Sequence, residues 1–200
     1  MGFENEIGNL RKICREIVLP ANKIKNIIIQ TVDMNRIKQI IDMGSGTLYW
    51  SEWYANYVDS VYAVDLIYKD NEYGVGNNKN IHKFRDINTL LAQGDIISNN
   101  TLFWMCDVLH HLESDYADEL IDFCCMRNLD YIVIKDINKW RKIGNYMNKV
   151  HDRIFNNAII HDVDPYSIMS KLKNSNYQIE YHEFYRLWYP HFLIIAKKKL

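Results

Sequence analysis

The sequence has little of the chemistry that marks several classes of protein. Its 200 residues include only 3 prolines and 8 glycines, which excludes collagen-like and low-complexity chains. The 24 lysines and arginines are balanced by 25 aspartates and glutamates, so the chain lacks the basic excess that holds a nucleic-acid backbone or an anionic bilayer. These absences favour one globular domain with a small-molecule partner, no nucleic acid and no membrane.

Two further absences bear on the cellular compartment. The four cysteines, at positions 14, 106, 124 and 125, show no C-x-x-C spacing, and adjacent Cys124 and Cys125 cannot close a relaxed structural disulfide. Charged residues interrupt the N-terminal region, and no apolar run reaches the ~20 residues that a membrane span needs. We therefore expect reduced thiols and a cytoplasmic protein that is neither exported nor embedded in a membrane.

What the chain does have is hydrophobic residues, 48% of the total, in segments that alternate between strand and helix patterns. Strands are predicted at 38–43, 60–65, 81–86, 101–106 and 131–134, and a terminal hairpin pairs 177–185 with 191–197 across a link at 187–190. Helices are predicted at 3–18, 22–40, 50–57, 115–125, 139–155 and 165–173. This order indicates an α/β sandwich with a mostly parallel sheet.

The strongest local signal is a glycine turn after the first predicted strand. Gly44 and Gly46 let the backbone turn tightly and approach a ligand at the N-terminus of the next helix. Asp65 ends the second strand, where its carboxylate can accept hydrogen bonds from both hydroxyls of an adenosine ribose. Asp86 and Ile87 follow the third strand, where they can bind an exocyclic adenine amine and cover the ring. A plain connecting turn and turn-capping aspartates are the alternative interpretations.

In this order the features resemble those of the class I S-adenosylmethionine-dependent methyltransferases, from about residue 37 to the C-terminus. The D-x-G-x-G turn at 42–46 and the strand-end acids carry the resemblance, together with CDVLHHL at 106–112, which is similar to the family's segment after the fourth strand. The resemblance implies a Rossmann-like seven-stranded sandwich with strand order 3-2-1-4-5-7-6, a C-terminal antiparallel hairpin and N-terminal helices. It also implies a helical cap at 1–36, within the same domain as the methyltransferase unit at 37–200.

The resemblance assigns a cofactor and its site. S-adenosyl-L-methionine is the implied cofactor, and S-adenosyl-L-homocysteine is its product. The cofactor-binding residues implied are Asp42, Gly44, Ser45, Gly46, Tyr49, Asp65, Leu66, Asp86, Ile87 and Asp107. The family often has a third glycine in the turn, and Leu48 stands there in this chain. The missing glycine weakens a dinucleotide-binding interpretation more than a methyltransferase one, because a pyrophosphate needs close backbone approach and S-adenosylmethionine has no phosphate.

Methyl transfer to a hydroxyl also needs a base, and histidine has the pKa nearest to the working pH. The candidate catalytic residues are His110, His111, Asp136 and His151. Lys135 and Arg153 are candidates for binding an anionic group of the acceptor, such as phosphate or carboxylate. The alternative interpretations are that the histidines cap or pack against the next helix, and that the charged residues form ion pairs on a helix surface. The histidines and aspartates at 151–152 and 161–162 match no metal-ligand spacing, so no metal is predicted.

These residues predict an O-methyltransferase that acts on a small molecule. The Ile-Lys-Asp element at 134–136 with a later His-Asp resembles bacterial methyltransferases associated with surface glycans and natural products, which implies a sugar or phosphorylated surface-glycan precursor as the acceptor. The N/D-P-P-Y/F tetrapeptide of amino-methylating DNA and protein enzymes is missing after the fourth strand. A second hypothesis is a catalytically inert methyltransferase-like subunit that serves a partner, and a third is a Rossmann-type oxidoreductase. The sequence leaves open whether the chain forms a homodimer or binds a partner subunit.

Overall fold

The computed structural model describes residues 20–68, 72–73, 79–92, 99–127, 129–155, 160–187 and 189–199. The strands are β1 (Gln39–Met43), β2 (Ser60–Val64), β3 (Glu72–Tyr73), β4 (Ile81–Phe84), β5 (Thr101–Cys106), β6 (Tyr131–Ile137), β7 (Tyr177–Arg186) and β8 (Tyr189–Lys198). The helices are α1 (Ala21–Thr31), α2 (Tyr49–Tyr54), α3 (Ile87–Leu91), α4 (Ser114–Met126), α5 (Lys142–Phe155) and α6 (Pro165–Asn174), and a 3-10 helix covers Leu109–His111.

All eight strands join one sheet in the order β3-β4-β2-β1-β5-β6-β8-β7. The five strands from β4 to β6 run parallel to one another, and β8 lies antiparallel between β6 and β7. The two-residue β3 pairs antiparallel with the edge strand β4. Without β3, the remaining seven strands have the predicted order 3-2-1-4-5-7-6, which confirms the expected mostly parallel sandwich with its C-terminal hairpin.

The sheet is covered on both faces, as strands that are apolar on both sides require. On one face, α3, α4 and α6 pack over a core that includes Phe103, Ile132 and Ile194. On the other, α1 and α2 pack over a core that includes Trp104 and Val133. The parallel strands therefore end at one shared edge, between two packed layers, and ligands of such sheets bind at that edge.

The structure corrects two of the predicted elements. The helix expected at 22–40 ends at Thr31, since Val32 is extended and Gln39 already pairs with both β2 and β5. The hairpin link expected at 187–190 is shorter, because β8 begins at Tyr189. In both places the hydrogen bonds of the sheet outweigh the local helix or turn pattern. The predicted helix at 3–18 lies outside the described residues, and the boundary at residue 36 stays a prediction.

Candidate functional site

The glycine turn lies where β1 ends, and neighbouring strands hold it in place. The amides of Gly44 and Ser45 both donate to the carbonyl of Val64 at the end of β2, at 2.8 and 3.2 Å. Gly44 has a φ of +71°, and a Cβ on it would overlap the Cγ2 methyl of Val108. Gly46 has a φ of +50°, and a Cβ on it would meet nothing within 4 Å. The first glycine is therefore required by packing, while the second faces open space.

Leu48, which stands where the family often has a third glycine, takes the left-handed conformation of a glycine. Its φ is +65°, and it precedes the first residue of α2 without a capping side-chain bond. A left-handed backbone costs an L-residue about 1–2 kcal/mol. The turn therefore has a left-handed backbone at position 48 although a leucine, not a glycine, stands there, and the leucine adds strain.

Asp65 lies directly against the glycine turn. One carboxylate oxygen, Oδ2, accepts from the amide of Gly46 at 2.8 Å, and Oδ1 accepts from the amide of Ile67 at 3.0 Å. Each carboxylate oxygen has two lone pairs, so one acceptor site on each remains beyond these two bonds. Leu66, the other predicted cofactor residue here, is exposed.

Tyr68 is a site residue that the sequence analysis missed. Its hydroxyl lies 2.8 Å from the hydroxyl of Ser45 and donates to the carbonyl of Gly46 at 3.2 Å. The Lys83 ammonium lies 5.2 Å from the centre of its ring. Tyr68 therefore holds the glycine turn from the β2 side. No motif marks it, because its contact depends on how the chain turns back after Asp65.

Asp42 lies beneath the turn and is almost completely buried. The Ser51 hydroxyl of α2 donates to its Oδ2 at 2.5 Å. Burial raises the pKa of Asp42 to about 7, although the Ser51 bond favours the ionised form. This carboxyl group therefore changes charge near neutral pH. Tyr49, also a predicted cofactor residue, receives a 3.3 Å hydrogen bond from Lys25 of α1.

Asp86 and Ile87 follow β4, as the sequence predicts, but both have structural partners. Asp86 is the N-cap of α3, where its Oδ1 accepts from the amide of Thr89 at 2.8 Å and both oxygens accept from the Thr89 hydroxyl. The Thr89 amide bond chiefly lowers the pKa of Asp86. Ile87 packs into the core. Asp86 therefore caps a helix, as the alternative interpretation of the sequence has it. The binding of adenine by Asp86 and Ile87 stays a prediction.

After β5, Asp107 and Lys135 form an ion pair that joins the ends of two central strands. The Lys135 ammonium lies 2.5 and 2.7 Å from the two oxygens of Asp107. Lys135 is buried, whereas 36% of the Asp107 side chain is exposed. Burial raises the pKa of Asp107, but the Lys135 charge, the nearby His110 and His191 and the Lys135 hydrogen bond together outweigh burial and lower it. Asp107 has a left-handed backbone, with φ at +57°, and stays ionised.

His110 and Asp136 form a second buried pair at the same edge of the sheet. The ring nitrogen Nδ1 of His110 lies 2.5 Å from Oδ1 of Asp136. Asp136 also accepts from the amides of Leu109 and Ile137, at 3.0 and 2.7 Å. The carboxyl group of Asp136 therefore orients the His110 ring, and the tautomer with its proton on Nδ1 has Nε2 as the acceptor nitrogen. The exposed His111 ring lies 4.1 Å from that of His110.

The remaining predicted acceptor residues differ in their burial and partners. Lys135, predicted to bind an anion with Arg153, is held by Asp107, and Arg153 is exposed on α5. The side chain of His151 lies outside the described residues. Asp162 pairs with Lys149 at 2.6 Å. Lys135 thus already has a carboxylate partner, and the roles of these residues stay predictions.

One group of side chains has atoms suited to a metal ion. Within the described part of the chain, Asp107, His110 and Asp136 place potential ligand atoms within 4.8 Å of one another. The Lys135 ammonium already contacts both oxygens of Asp107, and Asp136 already accepts from the His110 ring. A cation would compete with these contacts, which is unfavourable for metal binding. The expectation of no metal stays a prediction.

A cavity of about 210 Å³ lies beside the 3-10 helix, on the α4 and α6 side. Its lining includes Leu109, Lys139, His161 and Asp164. The His161 amide donates to the carbonyl of His110 at 2.8 Å, so the cavity wall is bonded to the segment that carries the histidine pair. Lys139 and Asp164 pair with each other at 2.9 Å. The cavity is therefore a partly polar space next to the site, and the charges of Lys139 and Asp164 at its wall compensate each other.

No model of a known protein family matches the sequence, and no curated protein sequence matches it. Solved structures, however, resemble the fold. A chain of the Pnkp1/Rnl/Hen1 RNA repair complex is 14% identical with a TM-score of 0.57, and the match covers 89% of this chain and 41% of that one. This chain thus spans less than half the length of that relative.

Two further structures are methyltransferases by name. Magnesium protoporphyrin IX methyltransferase from Synechocystis, with bound SAH, is 16% identical with a TM-score of 0.63, and 89% of this chain and 82% of that chain are covered. An O-methyltransferase family protein from Burkholderia thailandensis is 11% identical with a TM-score of 0.60, over 90% and 56% of the two chains. In the described residues, none of the helices has the length and apolar character to cross a bilayer. The chain has the fold of the class I S-adenosylmethionine-dependent methyltransferases.

Proposed function

We propose that the chain is an S-adenosylmethionine-dependent methyltransferase that transfers a methyl group to a hydroxyl of a small molecule. The observation that carries the proposal is the glycine turn bonded to Asp65 through the Gly46 amide, at the ends of β1 and β2 of this fold. In a parallel sheet this edge is the ligand-binding edge, and an acid at the end of the second strand is suited to the ribose hydroxyls of a nucleoside.

The described residues fit the cofactor. Gly46 leaves open space where a side chain would stand, and Asp65 keeps one acceptor site on each oxygen. Tyr68 fixes the turn between them through the carbonyl of Gly46. When bound, S-adenosylmethionine supplies a methyl group on a sulfonium centre. The turn has no phosphate to bind, which agrees with a bulky Leu48 in place of a third glycine.

His110 and Asp136 support a hydroxyl as the acceptor. As the methyl group bonds to the acceptor oxygen, the hydroxyl proton must leave, and we assign it to Nε2 of His110. Asp136 keeps the Nδ1 proton of His110 in place and stabilises the ring when it becomes positively charged. Asp136 is buried, so it acts through His110 as a positioning residue.

The acceptor is proposed to be a sugar or a phosphorylated glycan precursor. The chain has a net charge of −1, so any anionic group must be recognised locally, and Arg153 on α5 is the exposed cation that we assign to it. Since one relative belongs to an RNA repair complex, an RNA oligonucleotide is included as a competing acceptor class. A catalytically inert subunit is the alternative that a turnover assay distinguishes.

Replacing Asp65 tests the cofactor site. Asp65→Ala removes the carboxylate that would accept both ribose hydroxyls, and charge-assisted bonds of this kind are worth about 2–3 kcal/mol, or about 30- to 150-fold in affinity. Calorimetric titration with S-adenosylhomocysteine measures the loss. Asp59→Ala, at an exposed acid before β2, is the matched control. Unchanged affinity in a folded Asp65 variant, or no binding by the parent protein, contradicts the proposal.

Replacing the two histidines separately tests the assigned base. We expect His110→Ala to lower the rate of methyl transfer by about 10²–10⁴-fold, because general-base catalysis contributes that much. His111→Ala, at the exposed neighbour, should change it little. Transfer of a labelled methyl group is measured with sugars, phosphorylated sugars and an RNA oligonucleotide, and cofactor binding is measured alongside as a check on folding. Equal losses in the two variants would remove His110 from its assigned role.

A further inference from the structure

The cavity between α4, α6 and the 3-10 helix, which we call the α4–α6 cavity, combines apolar and polar lining. Its buried lining includes Leu109, Ile121 and Ile168, which are 3%, 1% and 8% exposed. Its exposed lining includes Ser114 and Ser167, in the first turns of α4 and α6. A ligand that fills this cavity must therefore offer apolar surface and hydrogen-bonding groups within one small volume.

The charges of the α4–α6 cavity are already balanced. Each of its three carboxylates pairs with a lysine at 2.6 to 3.2 Å: Asp164 with Lys139, Asp162 with Lys149 and Asp118 with Lys171. A phosphate would have to displace one of these carboxylates to bind an ammonium group, and it would be repelled by the other two. Hydroxyl groups, in contrast, can donate to the remaining lone pairs of the carboxylates. The lining therefore favours an uncharged ligand that is rich in hydroxyl groups.

Trp140 adds an aromatic ring at the edge of the α4–α6 cavity. Its Nε1 donates to Oδ1 of Asp164 at 3.1 Å, and its backbone amide donates to the buried Asn138 at 3.0 Å. The Lys139 ammonium lies over one face of the ring, 4.9 Å from its centre. Trp140 is nevertheless 56% exposed. An indole held in this way offers its second face to the C–H groups of a sugar ring.

Two backbone bonds connect the α4–α6 cavity to the histidine pair. The amide of His161, whose residue lines the cavity, donates to the carbonyl of His110 at 2.8 Å. Leu109, also in the lining, donates its amide to Asp136 at 3.0 Å. A ligand in the cavity would therefore contact the same 3-10 helix that carries His110.

We propose that the α4–α6 cavity binds one uncharged sugar ring through its carboxylates and serines and through packing on Trp140. Its volume of about 210 Å³ is below the ~300 Å³ at which pockets for drug-sized ligands begin, which agrees with a single ring. The ring would belong to the methyl acceptor, an assignment that rests on the proposed function. Any phosphate on that acceptor would lie outside the cavity.

A chemical-shift titration of the full-length protein tests the binding. Glucose, galactose and N-acetylglucosamine are the uncharged probes, and inorganic phosphate and uridine monophosphate are the charged ones. We expect at least one sugar to shift the amide signals of residues 109–121 and 161–168, with saturation in the millimolar range, and neither charged probe to do so. Shifts by a charged probe in this region, or no shifts there by any of the sugars, would overturn the proposal.

Two matched pairs of variants locate the sugar. Asp118→Phe fills the cavity and should abolish the saturable shifts, whereas Glu119→Phe makes the same change at an exposed neighbour outside the lining and should preserve them. Trp140→Ala should weaken sugar binding by about 3- to 10-fold, the worth of an aromatic contact. Tyr166→Ala, at another exposed ring, should leave it unchanged. Equal effects within either pair would contradict the proposed position of the ring.

Titration of the same proteins with S-adenosylhomocysteine separates this proposal from the proposed function. Asp118→Phe should keep the cofactor affinity of the parent and lose methyl transfer to the sugar. Cofactor binding by a parent protein that binds none of the sugars would overturn the sugar site alone. Sugar binding without cofactor binding would support the sugar site and contradict the methyltransferase function.

Discussion

At the scale of single residues, the turn between β1 and α2 depends on backbone angles that most side chains avoid. Gly44, Gly46 and Leu48 all have positive φ, but only Gly44 is confined, by Val108. Val108 belongs to the segment after β5, so the glycine turn and the segment that leads to His110 are in direct contact. Their coupling can be measured by mutation.

We expect Gly44→Ala to destabilise the fold by about 2–5 kcal/mol, the sum of left-handed strain and overpacking. Gly46→Ala has the strain without the overlap and should cost about 1–2 kcal/mol. In a Val108→Ala background, the cost of Gly44→Ala should fall toward that of Gly46→Ala, because the overlapping methyl is gone. Urea unfolding measures the parent, the three single variants and the double variant. Additive costs in the double variant would show that Val108 does not confine Gly44.

The raised pKa of Asp42 predicts how the stability of the fold depends on pH. Its pKa is about 7 in the folded protein and about 3.9 in an unfolded chain, so between these values the folded state binds a proton that the unfolded state releases. The contribution of Asp42 to stability therefore falls as pH rises through this window, by at most about 4 kcal/mol. Asp42→Asn removes this dependence, so the variant should gain stability relative to the parent between pH 5 and pH 8.

Unfolding of both proteins by urea at the two pH values measures this gain. Taking the difference between parent and variant cancels the histidines, which titrate in the same range. Ser51→Ala is the control, because it removes the bond that favours the ionised form and should make the fall with pH steeper. A constant difference between parent and Asp42→Asn at the two pH values would show that Asp42 is ionised throughout.

At the scale of elements, α1 is joined to α2 by a cation held among aromatic rings. The Lys25 ammonium lies 4.6 Å from the centre of the Tyr49 ring, 5.4 Å from Trp53 and 5.6 Å from Trp50. Trp50 is buried in the core beneath the sheet face that α1 and α2 cover. Tyr49 and Trp53 are half-buried against the same core, so the three rings contact both the core and Lys25 of α1.

Lys25→Met should lower the free energy of unfolding by about 0.5–2 kcal/mol, the range of cation–π contacts from exposed to desolvated sites, because Lys25 is half-buried; Lys25→Arg should keep most of it. Because Lys25 also donates to the Tyr49 hydroxyl, a predicted cofactor residue, the methionine variant reports whether α1 supports that site. Urea unfolding and cofactor titration are measured together. Equal stability of the methionine variant and the parent would mean that the rings hold α1 without the charge.

At the scale of the whole molecule, most of the architecture follows from the sequence. Unbroken apolar runs such as 101–106 and 131–134 indicate central strands, and the final hairpin places an antiparallel pair at one edge. Element ends were less predictable. The helix expected at 22–40 has a helical pattern throughout, yet Gln39 and Ile40 belong to β1 because two neighbouring strands take their hydrogen bonds.

The sequence by itself determined the glycine turn, the acids at the strand ends and the layer order, because these depend on local periodicity and on residues at fixed offsets. Only the tertiary structure decided which polar groups pair. Lys135 and Asp136 are neighbours, yet one binds Asp107 and the other His110. Because side chains alternate along β6, Lys135 and Asp136 point to opposite faces of the sheet. The pairing of Cys106 with Lys135 fixes their position along the strand relative to the residues that follow β5. Every residue of β6 is buried, so its sequence has no polar–apolar alternation from which this register could be predicted.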